Sequence, residues 1–164
     1  MPQVAVIMGS RSDLDAMKEA CQVLEKFGLD FEARVMSAHR TPEAVATYVE
    51  GLEDRGVKAV ICGAGGAAHL AGVVASHTIL PVIGVPMKST LNGLDSLLAT
   101  VQMPRGIPVA TTAIGGSGAY NAALLAVQML SLSDPKLRET WRQFRQDQTA
   151  KVEKAAEVEA QEWA

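Results

Sequence analysis

The chain has 164 residues, 48% of them hydrophobic, 20% charged and only 4% aromatic, with a formal net charge of −3. That is enough apolar material for a folded core, which excludes a disordered chain, and so acidic and aromatic-poor a chain lacks the field and stacking platforms of a nucleic-acid binder. Two distant cysteines, Cys21 and Cys62, with no C-x-x-C, exclude a disulfide framework and a cysteine-based zinc site and fit a cytoplasmic setting.

The opening MPQVAVIMGS carries no basic stretch ahead of its apolar run, so Gln3–Met8 reads as a buried strand and not a signal peptide. Ser12–Phe27 reads as a helix, with Leu14, Met17, Ala20, Cys21, Leu24 and Phe27 at 3–4 spacing and Gly28 closing it. Asp30–Met36 is a second strand. Thr41-Pro42-Glu43 is a helix start, with a cap, a proline and an acid in the first turn, and the helix runs to about Arg55 before Gly56. Ala59–Cys62 is a third strand, followed by GAGGAAHL and a short helix. Pro81–Val85 and Pro108–Ala110 complete five strands, with a helix at Gly93–Val101 between them and an apolar helix at Gly118–Leu132 after them. Strands alternating with helices imply an α/β fold: one doubly wound parallel sheet of flavodoxin-like type, a three-layer sandwich.

Charge is unevenly spread. Ala59–Met87 (29 residues) and Gly106–Ser133 (28 residues) contain no Asp, Glu, Lys or Arg. Neither is a membrane span, since the longest helical piece, Ala122–Leu132, is well short of the ~20 apolar residues a bilayer needs. A helix apolar all round must be buried all round, which points to other subunits. The tail from Asp134 reverses the composition, with 13 charged residues of 31. A helix from Pro135 to Trp163 would span about 43 Å, against about 40 Å for a compact domain of this length. We therefore expect one domain, residues 1–164, with a core at 1–133 and a helical extension at 134–164 whose Leu137, Trp141, Phe144 and Val152 pack partly on a neighbouring subunit.

Ligands of such sheets bind outside the carboxyl ends of the strands. After strand one, Gly9-Ser10-Arg11-Ser12-Asp13 carries hydroxyls and amides onto a helix start, a seat for phosphate, although Ser12 with Asp15 also fits a plain capping pair. After strand two, Ser37-Ala38-His39-Arg40 supplies a guanidinium that grips anions and an imidazole that exchanges protons near neutral pH. After strand three, Gly63-x-Gly65-x-x-Ala68 approaches a dinucleotide fingerprint, but no acid follows about 20 residues on, which argues against NAD. His69 either lines the same pocket or starts a helix; His77 reads as structural in an apolar setting; Cys62 reads as packing. Met87-Lys88-Ser89-Thr90 lacks the glycine of a P-loop, and no metal-ligand spacing occurs.

Taken together, MGSRSDLD, SAHRTPE, GAGGAAHLAG, PVIGVPMKS, GLDSLLATVQMPRGIPVAT and AIGGSGAYNAALLA resemble the N5-carboxyaminoimidazole ribonucleotide mutase family of purine (IMP) biosynthesis, from about Val4 to Leu132. Leu14, Ala71 and Tyr120 depart from the residues usual there. The resemblance implies an isomerase that moves a carboxyl group from an exocyclic nitrogen to ring carbon C4 of a ribonucleotide, with neither cofactor nor metal. It implies His39 as the general acid and base, with Ser10, Asp13 and Arg40 on the ribotide, Ser12 and Ser37 adding phosphate contacts, and Gly65, Gly66, Ala67 and His69 around the carboxyl group. It also implies a homo-oligomer, an octamer, free of membrane and nucleic acid. Two alternatives stay open: a sister carboxylase using free CO2 on the unsubstituted ribotide, and a nucleotide-binding module without turnover.

Overall fold

Five short strands fold into one parallel sheet: β1 (Val4–Met8), the edge strand β2 (Phe31–Val35), in which Glu32 and Arg34 alternate with apolar residues, β3 (Ala59–Ala64), β4 (Val82–Pro86) and β5 (Ala110–Thr111). The computed structural model describes residues 1–162, with side chains described to residue 156; the expected helix end at Trp163 lies outside the described residues. The helices are α1 (Leu14–Lys26), α2 (Pro42–Glu50), α3 (Leu70–Ser76), α4 (Leu94–Val101), α5 (Gly116–Ser131) and α6 (Pro135–Glu162). Among the described residues no helix is long and apolar enough to cross a membrane. Two compact units divide the chain, Met1–Ala126 and the part from Val127 on.

In the first unit the strand order is β2-β1-β3-β4-β5. Val4 lies opposite Phe31 on one side and Ala59 on the other, and Val60 lies opposite Val82. This is the flavodoxin-like order, whose direction reverses between β1 and β3. β1 is wholly buried, as a strand covered on both faces must be. Alternate residues therefore face different helices. Ala5, Ile7, Val60 and Cys62 pack with Val45 and Val49 of α2 and Leu70, Ala71 and Val74 of α3. A Cβ on Gly84 of β4 would collide with Thr100 of α4, which places α4 on that face too. On the other face Met17 of α1 presses its sulfur against Gly63, leaving 2.5 Å for a Cβ there, and Gly116 at the start of α5 lies beside Glu19 of α1.

Several local expectations shift. A 3-10 turn, Arg11–Asp13, precedes α1, and it is Ser10 whose side chain accepts from Ser12 N, so the Ser12–Asp15 capping pair does not form. α2 stops at Glu50 and not near Arg55. Gly51 ends it, and residues 51–56 continue as successive turns, with the Leu52 carbonyl accepting from Arg55 and Val57. Leu52 is fully buried, so the apolar period carried on past the end of the helix. Arg55 reaches back to the Gly51 carbonyl at 2.9 Å and to Glu32 of β2 at 3.1 Å, where the Tyr48 hydroxyl also donates at 2.8 Å. Burial alone would raise the Glu32 carboxyl, but these two donors outweigh it and hold it below its ordinary range. β5 is two residues long and begins at Ala110 rather than Pro108, and α5 begins at Gly116 rather than Gly118. His77 is not in an apolar setting: it ends α3 with Nδ1 3.4 Å from Glu50. Cys62 is buried as expected, which pushes its thiol up.

The second unit holds the end of α5 and all of α6. Asp134 caps α6 by accepting from the backbone of Lys136 and Leu137, both at 3.0 Å, ahead of a proline at the first helical position. Arg138 returns to the carbonyls of Ser131 and Leu132 that end α5. Trp141 and Phe144 stack with ring centroids 5.4 Å apart.

Candidate active site

The carboxyl ends of the first four strands are drawn level by hydrogen bonds that continue the ladders into the loops. Gly9 N donates to Gly63 O at 2.9 Å, Met36 N to Met8 O at 2.9 Å, and Met87 N to Ala64 O at 2.8 Å. The loops that follow open around a cleft of about 500 Å³ at the β1/β3 reversal. It is lined by Gly9, Ser10, Ser12 and Asp13 after β1, Ser37, Ala38, His39 and Arg40 after β2, Ala64, Gly65, Ala67, His69 and Leu70 after β3, and Lys88 and Ser89 after β4.

Each loop is braced from within. Ser12 Oγ lies 2.9 Å from Ser10 Oγ and 3.4 Å from Asp13 Oδ1, a short polar chain across the first loop. In the second, Thr41 stands at the start of α2 but does not cap it. Its hydroxyl accepts from Ser37 N and bonds Ser37 O, both at 3.0 Å. Ser37 Oγ accepts from Arg40 N at 3.2 Å and Arg40 Nε at 3.4 Å, while Arg40 NH2 donates to Gly9 O at 3.2 Å. The guanidinium is thus fixed between two loops with donors to spare. In the third, Gly66 takes a left-handed φ of 66°, which glycine adopts without strain, and its N–H donates to Ser96 Oγ at 2.9 Å. Gly66 itself is absent from the cleft lining; its neighbours Gly65 and Ala67 form the wall.

The two histidines expected at the site meet. His39 Nε2 lies 3.0 Å from His69 Nδ1, with the rings edge to face at 82°. His69 occupies the cap position of α3 without capping it, so its ring belongs to the cleft. Only one hydrogen fits between two ring nitrogens, so one imidazole donates and the other accepts. Among the described residues no group of three His, Cys, Asp or Glu converges as a metal site.

The family model for AIR carboxylase matches residues 3–151. This chain belongs to the AIR carboxylase family. A Pyrococcus horikoshii protein named N5-carboxyaminoimidazole ribonucleotide mutase is 55% identical over 164 residues, covering 99% of this chain and 92% of that one. A Saccharolobus solfataricus protein of the same name is 58% identical over 148 residues, covering 90% and 92%. Among solved structures, PurE of Treponema denticola superposes with a TM-score of 0.85 at 30% identity, covering 94% of this chain and 96% of that one.

The cationic side chains lining the cleft outnumber its acids, a balance that suits an anionic ligand. Arg40 and Lys88 are its cations and Asp13 its one acid. Burial raises the Asp13 carboxyl above its ordinary range, against the opposing bonds from the Ser10 backbone and the Ser12 side chain. Lys88 and Ser89 are cleft residues that no local motif marks, since MKST lacks the glycine of a P-loop. The same strand-end rule that picked the other three loops, applied to the loop after β4, would have found them.

Proposed function

We propose that the chain is an isomerase converting N5-carboxyaminoimidazole ribonucleotide to the 4-carboxy isomer in purine biosynthesis. The observation that carries this reading is the 55% identity, over 99% of the chain, to a relative bearing that name. The chemistry suits the cleft. His39 donates a proton to the exocyclic nitrogen as the N–C bond breaks and CO2 is released. The electron-rich C4 then attacks CO2, forming the C–C bond, and the C4 proton returns to His39, so the ring ends as it began. His69, bonded to His39, fixes which nitrogen carries hydrogen and orients the ring; between the two halves the donated proton stays on the exocyclic nitrogen, and His39 is neutral and ready to accept the C4 proton. Arg40, Ser10, Ser12 and Ser37 seat the phosphate, and Asp13 accepts from a ribose hydroxyl. Gly65, Ala67 and the Gly66 bend shape the wall that keeps CO2 over C4.

The family model's own description favours one other reading, a carboxylase taking CO2 from solution. Labelled bicarbonate separates them. A mutase converts the unlabelled carbamate and takes up little label. Rapid labelling from the unsubstituted ribotide, with no conversion of the carbamate beyond its spontaneous decay, would overturn the mutase assignment.

The functional form we infer is a cytoplasmic homo-oligomer, an octamer by resemblance, with α6 lying on a neighbouring subunit. Its support is an apolar stripe on and before α4, where Leu91, Leu94, Leu98 and Val101 are 62%, 52%, 48% and 45% exposed at helical spacing. A light-scattering mass near the 17.3 kDa of one chain would refute this.

A further inference from the structure

Lys88 is the cleft cation that sequence reasoning left without a role. It is exposed, and among the described residues nothing pairs with it. Arg40, by contrast, is tied to Ser37 and Gly9. The placement of Lys88 is fixed by its backbone. The bond from Met87 N to Ala64 O carries the β3–β4 ladder one step past the strands, setting Met87 abreast of Gly65 and Lys88 one residue beyond it. A Cβ on Gly65 would lie 3.7 Å from the Lys88 carbonyl, and one on Gly66 3.5 Å from Ser89 Oγ. Lys88 therefore stands against the glycine wall. Arg40 follows β2 and Lys88 follows β4, three strands away in the sheet. At ~4.8 Å per strand their backbones leave the sheet roughly 14 Å apart.

We propose that Lys88 binds the substrate's carboxyl group, at the end of the cleft away from the phosphate held by Arg40. The proposal rests on the mutase reading and deepens it. The substrate carries two anionic ends, a phosphate and a carboxyl, and the cleft carries two cations on different strands. Arg40 is flanked by the hydroxyls and loop amides of a phosphate seat; Lys88 is flanked by the backbone that borders the carboxyl in the mechanism above. A mobile ammonium suits a group that moves from nitrogen to C4 during the reaction, since it follows as a point charge where a bidentate fork would hold one position.

Two ribotides that differ only in the carboxyl group test this by calorimetric titration at fixed salt. The C4-carboxylated ribotide should bind Lys88→Met at least tenfold more weakly than wild type. The aminoimidazole ribotide without the carboxyl should bind both within twofold. Lys88→Arg should recover most of the lost affinity, and Arg40→Ala should weaken both ligands alike. Equal weakening of the two ligands by Lys88→Met would place Lys88 on the phosphate and overturn the proposal, as would unchanged affinity for the carboxylated ligand. A wild-type protein that binds neither ribotide overturns the functional reading, and this proposal with it.

Discussion

The contact between His39 and His69 makes a quantitative claim about how the two side chains share one task. His39→Asn removes the ring that cycles a proton, and turnover should fall by the ~10²–10⁴ typical of lost general acid–base catalysis. His69→Ala leaves that ring in place but removes its partner at 3.0 Å. When His39 carries the proton, the lost bond is one to a charged group, worth ~1.5–3 kcal/mol. At tenfold per ~1.4 kcal/mol, that is roughly a 10- to 150-fold loss of turnover. Because His69 acts through His39, it has nothing left to act on once His39 is gone. The double variant should then fall no further than His39→Asn alone, within about threefold, and a double-mutant cycle should return a coupling about equal to the His69→Ala effect. Single-turnover conversion of freshly prepared carbamate at saturating enzyme reads this, with circular dichroism confirming that each variant folds. If the double variant loses activity by the product of the two single losses, His39 and His69 work independently and the paired-imidazole mechanism is wrong.

Arg40→Ala should weaken ribotide binding by ~1.5–3 kcal/mol, the range for a charge-assisted hydrogen bond, and calorimetric titration checks it. Asp13→Asn should abolish most activity yet stabilise the free protein at neutral pH. Its carboxyl lies above its ordinary range in the fold, so the native state binds more protons than the unfolded one and loses stability as pH rises through that range. The stability gain measured in urea should therefore vanish at a pH below the unfolded carboxylate range, and a gain that persists there would assign the effect to packing. Gly84→Ala should destabilise the protein by at least ~1–3 kcal/mol through overpacking, since its Cβ would run into Thr100 and come within 3.1 Å of Val109 and 3.3 Å of Ala71; an unchanged urea midpoint would refute the α3/α4 packing described.

The sheet was legible because β1, β3 and β4 are short apolar runs between turn signals and the edge strand β2 alternates polar with apolar residues, and the carboxyl-end rule then pointed to Ser10–Asp13, Ser37–Arg40 and Gly65–His69 without any knowledge of contacts. Legibility failed where two local solutions compete. GSRSD offers two serines two residues apart, either able to cap, and only the extended backbone of Ser10, with φ −149° and ψ 153°, decides for it. Val45, Val49 and Leu52 keep one apolar period, so nothing in that period marked the helix as ending at Glu50. His77 looked apolar because its neighbours in sequence are, while its partner Glu50 comes from 27 positions upstream.

What positions the chemistry is a set of long-range backbone bonds that no local pattern encodes. A parallel sheet sends every strand-end loop to one edge, but it does not set how far each loop rises or which of its atoms turn inward. Gly66 shows the distinction. Its glycine is required by the left-handed turn, and its N–H is directed to Ser96 on α4, so the residue that shapes the wall does not itself face the cleft. Ser37 shows the converse. Expected to bind phosphate, it also orders Arg40, since its hydroxyl accepts from both the backbone N–H and the guanidinium of that residue. A mutation at Ser37 therefore acts on the ligand through Arg40 as well as directly: Ser37→Ala should reproduce part of the Arg40→Ala loss, and in the double variant only its direct share should add to that loss.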